Sequence, residues 1–301
     1  MSSSDIPTVY HRDTETDRFL DDFPVHCHFR SGPIGQNSMH AHKGYEFYFC
    51  LEGQGKFLVG DRVFSLHPGS LLMIKPHVLH WSRVINTNAL HRVVLSMEEQ
   101  FAAELGNSMP ALALCIHKLF DEMSTPCLHW QLDNKKTERM RDILFRISRE
   151  IEEKAPFYEA AMHHLLAEMF VLLAREQTGS ITSQEPPNPS NLAEHVLQYM
   201  TSHYSETIEV SRLHELFNVS RSHLYEHFKQ WTGQPLNRYL TLFRLHQAKR
   251  LLLDTPLSVT EIASAVGFGD LSHFFHTFKT EIGQTPSAYR KQHTVPSKNK
   301  K

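Results

Sequence analysis

The sequence lacks the marks of several protein classes. Only four cysteines occur in 301 residues, Cys27, Cys50, Cys115 and Cys127, and no two are spaced as Cys-x-x-Cys. They read as reduced core residues, not as a disulfide framework. No apolar run is long enough to cross a bilayer, and the opening MSSSDIPTVYHRDTETDRF has no apolar signal region. A cytoplasmic chain with no membrane partner is therefore expected. Net charge is also nearly absent, at −2. No Ser-His-Asp, Cys-His or phosphate-loop arrangement occurs, which argues against the commonest nucleophilic and nucleotide-dependent chemistries.

The small net charge hides an asymmetry. Residues 191–301 hold 13 Lys/Arg against 9 Asp/Glu, net +4, and the remainder hold 18 against 24, net −6. The C-terminal part is thus the side suited to a polyanion. The length predicts two domains, each with its own core.

The hydrophobic period changes along the chain. Residues 1–22 are polar and are expected to be flexible. Residues 23–97 alternate in short runs, such as Tyr45 to Leu51, Lys56 to Val59, Arg62 to Leu66, Ser70 to Ile74 and His91 to Leu95. Turns at Gly53 to Gly55 and at Gly60-Asp61 separate them, which predicts a small β-barrel or double-sheet roll. Residues 98–177 switch to helical spacing, over about 98–105, 110–123, 134–154 and 156–177, with Pro156 opening the last helix. The seam Met140, Ile143, Leu144, Ile147 and Ile151, and a second of Ala161, Leu165, Met169 and Leu172, need a partner surface. That partner is either the barrel or a second subunit. Residues 178–190 are polar and proline-bearing and read as a linker. Residues 191–292 are helical again, and 293–301 form a basic tail expected to be disordered.

The most specific pattern lies in the second helical region. In SVTEIASAVGFGDLSHFFHTFK, Ser258 with Glu261 is a capping box, Gly267 stands where the helix must stop, and Asp270 can cap the next helix. The apolar face of that second helix is expected to be Leu271, Phe274, Phe275 and Phe278, leaving Ser272, His273, His276 and Lys279 outside. The layout recurs fifty residues earlier in VSRLHELFNVSRSHLYEHFK, with Ser220 as cap, Leu224 and Phe228 inside, and Lys229 matching Lys279. Each copy is followed by Gly-Gln and a proline expected at the first helical position, Pro235 and Pro286. A long amphipathic helix, Pro235 to Asp254, joins them. A short polar helix braced by another across a tight turn suits the DNA major groove, and two such units suit a periodic duplex.

Residues Ile208 to Arg290 resemble the DNA-binding domain of the AraC/XylS family of transcription regulators. The resemblance is carried by Leu213, Ser220, Leu224, Phe228-Lys229, Arg244, Ala248, Leu251-Leu252, Glu261-Ile262-Ala263, Gly267-Phe268, Phe274, Phe278-Lys279, Gly283, Pro286 and Tyr289-Arg290. It implies two helix-turn-helix units docking in successive major-groove segments. By position, Ser222, Tyr225 and Glu226 of the first unit, and Leu271, Ser272 and His276 of the second, would face base edges. Lys229, Arg244, Arg250 and Lys279 would contact phosphate, which positions without reading sequence. Two departures stand out: the family often has arginine where this chain has Glu226 and His276.

The first domain carries its own pattern, GQNSMHAHKGYEFYFCLEG, with His40-x-His42-x3-Glu46, and later Pro68-Gly69 and His80. Residues two apart share a face of a strand, so His40, His42, Glu46 and His80 can converge. Three imidazoles and a carboxylate suit a divalent metal such as Zn, Ni, Mn or Fe(II), or can hydrogen-bond a ligand instead. The region resembles the cupin fold in both of its motifs. Tyr45, Tyr48, Trp81 and Arg83 flank the cluster, and with it would suit a sugar or small carboxylate effector. The alternative for such aromatics is that they fill the barrel.

The resulting expectation is an α+β protein: a cupin β-barrel, a helical dimerisation segment and an all-α domain with two helix-turn-helix units. The resemblance implies a ligand-responsive regulator, not an enzyme, with promoter or operator DNA, a small-molecule effector, a second copy of the chain and RNA polymerase as partners. The competing reading is a metal-dependent cupin oxygenase or isomerase carrying a DNA-binding domain.

Overall fold

The computed structural model describes residues 11–12, 14–31, 40–60, 62–84, 90–108, 110–121, 125–176 and 192–293. The linker reading at 178–190, the tail from 294 and residues 1–10 lie outside them. The chain divides into two compact units, the first Asp13–Pro186 and the second built on Pro187–Lys301.

The first unit opens with a helix, α1 (Thr14–Asp22), within the stretch expected to be flexible. That expectation is corrected for 14–22. Leu20 is buried, Phe19 stacks on His26 with ring centroids 4.2 Å apart, and Asp17 accepts a hydrogen bond from the Lys43 backbone. An amphipathic turn of this kind is held by what it covers, which the local sequence does not reveal.

Nine strands follow: β1 (Val25–Arg30), β2 (His40–Ala41), β3 (Tyr45–Glu52), β4 (Gly55–Val59), β5 (Arg62–Leu66), β6 (Ser70–Ile74), β7 (His80–Val84), β8 (His91–Met97) and β9 (Cys127–Gln131). They form two antiparallel sheets. One has the order β9-β6-β3-β8-β1; the other runs β2-β7-β4-β5. The expected barrel is therefore not closed. Strand β9 was not foreseen, since 98–177 read as helical throughout. CLHWQ gains its place only by pairing with β6, where Gln131 accepts from Ser70 Oγ at 2.7 Å and donates to the Pro68 carbonyl at 2.8 Å.

The first sheet is covered on both faces, which explains why β3 and β6 are so apolar. One face meets the helices α2 (Glu99–Ser108), α3 (Pro110–Ile116), the following turn His117–Asp121, α4 (Asn134–Glu153) and α5 (Tyr158–Glu176). Phe47 lies against Phe120 and Phe170, Tyr45 against Phe120, and the Cys27 thiol donates to the Leu144 carbonyl. The α4 seam Met140, Ile143, Leu144 and Ile147 is buried here, as are Leu165, Met169 and Phe170 of α5. These seams find their partner within the subunit. Pro156 does not open α5: it sits in a turn, Phe157 takes φ +68°, and the helix starts at Tyr158.

The second unit is all helix: α6 (Leu192–Ser202), α7 (Leu213–Leu216), α8 (Arg221–Thr232), α9 (Leu236–Asp254), α10 (Val259–Ala265), α11 (Leu271–Ile282) and α12 (Pro286–His293). The caps read from sequence are made. Ser220 accepts from His223 N–H, Ser258 and Glu261 form the full capping box, and Asp270 accepts from His273 N–H. Gly267 takes φ +84° after α10, where a Cβ would lie 2.4 Å from the Tyr204 carbonyl oxygen, so only glycine fits without rearrangement. Pro286 is the first residue of α12, but Pro235 sits one position earlier, at the N-cap of α9. Leu224, Phe228, Phe274 and Phe278 are fully buried. Leu271, expected in the apolar face of α11, is instead 39% exposed, because it begins the helix beyond the reach of the core.

Candidate DNA interface and ligand-binding interior

Helices α8 and α11 each follow a short helix across a tight turn, and each is fixed to its core by two fully buried side chains four residues apart. That spacing turns one stripe inward and leaves the opposite stripe outside. On α8, Ser222 and Glu226 are exposed. Tyr225 is half-buried: its hydroxyl donates to the Val210 carbonyl at 3.4 Å, and the Arg221 guanidinium lies 5.5 Å from its ring centre. On α11, Leu271, Ser272 and His276 are exposed. Lys229 and Lys279 stand exposed near the ends of these two helices, and Arg250 is exposed on α9.

Arg244 requires correction. Its Nε donates to the Tyr204 carbonyl at 2.8 Å and one terminal nitrogen to the Glu206 carbonyl at 2.7 Å. The group ties the loop after α6 to α9, and its partial burial lowers its pKa from the ordinary arginine value. A guanidinium held this way is architectural and does not project toward a phosphate. Arg290 acts likewise, donating to the carbonyls of Leu252 and Leu257.

In the first unit the two sheets enclose a polar interior. In an antiparallel pair, directly opposed residues share a face. Glu46 opposes Ser96, Tyr48 opposes Val94, and Cys50 opposes Arg92, so Glu46, Tyr48 and Arg92 look toward the second sheet. From that sheet come His40 and His80, themselves opposed, and Phe57, whose ring is 4.5 Å from that of Tyr48. His42 enters from the turn between β2 and β3. Gly44 makes this turn possible: it takes φ +90°, and a Cβ there would lie 2.6 Å from the Met97 carbonyl oxygen.

His40, His42, Glu46 and His80 are all buried, and each offers one ligand atom within 4.8 Å of the others. His42 Nε2 is 2.9 Å from Glu46 Oε2, and His80 Nε2 is 3.6 Å from Oε1. His80 Nδ1 meets the Val78 carbonyl at 2.8 Å and His42 Nδ1 the Lys43 carbonyl at 3.2 Å. Both rings thus turn Nε2 toward the carboxylate. Burial alone would raise the Glu46 pKa, but the nearby charge of His80 and the hydrogen bond from His42 outweigh it and hold the carboxyl well below its ordinary range.

Two residues expected at the ligand site do not face it, and a third lies outside the described side chains. Tyr45 has the opposite parity from Glu46 and Tyr48 and packs edge-on against Phe120, with centroids 4.5 Å apart. Trp81 alternates with His80 and Ser82 along β7 and so lies on the other face of the second sheet. Arg83 shares its parity by backbone register, and its side chain lies outside the described residues. Two interior features were missed or incompletely read. Arg92 is only 5% exposed, and its Nη1 donates to the Leu90 carbonyl at 3.1 Å. The Tyr48 hydroxyl is buried and makes no hydrogen bond of good geometry among the described residues, with Ser82 and Arg92 as its polar neighbours.

Comparison with known proteins agrees with this division. Residues 213–292 match the model of a helix-turn-helix domain, and residues 23–168 match that of an AraC-like ligand binding domain. The chain is 24% identical over 255 residues to the HTH-type transcriptional activator RhaS of Enterobacter sp. (strain 638), covering 83% of this chain and 86% of that one. It is 23% identical over 252 residues to the activator RhaR of Shigella dysenteriae serotype 1, with the same coverage. Among solved structures, the C-terminal domain of AraT, a response regulator from Geobacillus stearothermophilus, is 30% identical and covers 37% of this chain and 93% of its own, with TM-score 0.35. ToxT from Vibrio cholerae is 13% identical and covers 90% of this chain and 98% of its own, with TM-score 0.36. With a ligand-binding domain and a helix-turn-helix domain matched in this order, the chain belongs to the AraC family of DNA-binding transcription regulators.

Proposed function

We propose that the protein acts in the cytoplasm as a homodimeric, effector-controlled transcription activator that engages promoter DNA through both α8 and α11 and assists RNA polymerase there. The observation that carries this is the repeated geometry of those two helices, each capped, anchored by two buried side chains and left polar on its outer stripe. Ser222, Tyr225 and Glu226, with Leu271, Ser272 and His276, are the base-reading candidates. Glu226 suits a cytosine amine and Leu271 a thymine methyl. Lys229, Lys279 and Arg250 neutralise phosphate, so affinity falls steeply with salt. That relatives of this length are named activators supports the sign of regulation.

The effector occupies the space between the sheets. A ligand that binds one arrangement of the protein better than another shifts the population toward it, by no more than its difference in affinity. Genome-wide mapping of bound DNA, with and without cell extract metabolites, tests the reading. Absence of reproducible sites would overturn it.

A divalent metal is a second reading of the histidine cluster. His40, His42, Glu46 and His80 fit one. The donor set is three imidazoles and a carboxylate, and Nδ1 of His42 and of His80 each meets a backbone carbonyl, which leaves Nε2 as the ligand atom. When bound, the metal would polarise an oxygen of the effector. We read it as part of a sensor and not of an enzyme, in keeping with the regulator relatives.

A further inference from the structure

We propose that the inter-sheet interior is built for a hydroxylated carboxylate, with Arg92 and Tyr48 as the anchor for its anionic group; this rests on reading that interior as the effector site. The guanidinium of Arg92 has five N–H donors, yet among the described residues it makes one hydrogen bond, Nη1 to the Leu90 carbonyl, and the carboxylate acting on it, Glu46, does so from beyond ion-pair contact. A buried cation with no anion in contact is unfavourable, so a site that keeps one is suited to receive an anion. Tyr48 supplies a second donor beside it. Its hydroxyl is buried and lacks a hydrogen bond of good geometry, and the Arg92 charge is one of its neighbours.

Position along the sheet supplies the rest of the ligand. Arg92 opposes Cys50, four residues along β3 from Glu46, so the cation and the His–Glu cluster stand about 14 Å apart at the backbone. Tyr48, on the same face of β3, stands between them in register. The interior therefore offers donors for an anion at one end. At the other stands the Glu46 carboxylate, which takes one short hydrogen bond, from His42, and can accept another from a hydroxyl. A neutral sugar would leave Arg92 without a contacting anion, and a fatty chain would offer nothing to the Glu46 carboxylate.

The test uses the full-length protein and thermal melting in sodium formate, acetate and D-glucuronate, against sodium chloride at equal ionic strength and against D-glucose. The three carboxylates should raise the melting temperature by a few degrees, D-glucuronate most, while chloride and glucose should not. Arg92→Met should lose the carboxylate response and melt no lower than the parent in chloride, since it removes an unpaired buried charge. Should Arg92→Met fail to fold, Arg92→Lys should retain part of the response and Tyr48→Phe should weaken it. An unchanged response in Arg92→Met, or no carboxylate effect on the parent, would overturn the proposal. A rise with glucose alone would leave the interior a ligand site and sink only its anionic preference. The underlying effector reading is judged separately: Tyr48→Phe in a reporter strain should alter regulation whatever the ligand.

Discussion

Arg238 and Glu281, forty-three residues apart, form a two-pronged ion pair, with Nη2 to Oε2 at 2.8 Å and Nη1 meeting Oε1. Arg238 lies in the first turn of α9 and Glu281 in the last turn of α11. The pair thus ties the start of the connecting helix to the end of the second reading helix. It is well shielded, with the Glu281 side chain 6% exposed and that of Arg238 27%.

Removing one partner strands the other in a largely dry site. Arg238→Ala should cost about 2 kcal/mol in urea unfolding, and the pair replaced by Arg238→Met with Glu281→Leu should recover most of it. The single variant should also tolerate a one-base change in spacing between the two groove segments met by α8 and α11 better than the parent. Unchanged spacing preference would leave the pair only a stability device.

Base and phosphate contacts should separate in binding assays. His276→Ala should cost about 1–3 kcal/mol on the preferred site and relax selectivity at one position. Lys279→Ala should weaken binding on every sequence alike and lower the salt slope by about 1. Uniform loss in both variants would contradict the assignment of His276.

Gly267→Ala tests the turn before α11. The new Cβ would meet the Tyr204 carbonyl oxygen at 2.4 Å and the Arg244 guanidinium at 2.9 Å, on a backbone at φ +84°. Destabilisation of about 2–3 kcal/mol and a matching loss of DNA binding are expected in thermal melts and gel shifts.

Acid should loosen α10. Hydrogen bonds from Ser258 hold the Glu261 carboxyl below its ordinary value of 4.5. A depressed acid contributes stability that is complete above that value and is lost as pH falls through the lower, folded one. The protection of α10 amides, relative to their intrinsic exchange rate at each pH, should therefore fall below about pH 4.5 in the parent. In Glu261→Gln that protection should stay constant across the range.

Metal content is a direct check on the histidine cluster. Elemental analysis of protein purified without chelator should find about one divalent ion per chain, and His80→Ala should lower retention by about 10–100-fold. Protein that is metal-free and unaffected by added zinc would return the cluster to a hydrogen-bonded His–Glu network.

Local chemistry was legible in the sequence, and positions across the fold were not. Ser220, Ser258 with Glu261, Asp270 and Gly267 could be assigned because a cap or a left-handed turn is specified within four residues. The convergence of His40, His42, Glu46 and His80 was readable from motif spacing. The choice among Tyr45, Tyr48, Trp81 and Arg92 was not. Flanking the motif says nothing of parity, and parity decides which face of a sheet a side chain takes. Arg244 looked like a surface cation until its carbonyl partners, about forty residues away, were in view.

By itself, then, the sequence determined the two-part plan, most of the elements and the repeated capped helical hairpins, since periodicity, caps and repeats are properties of neighbours along the chain. Only the tertiary structure decided that the barrel stays two sheets, that β9 joins one of them and that Arg92 is buried inside. Those outcomes depend on which distant strands pair, and pairing is settled by the burial of both faces at once, which no short window of residues can express.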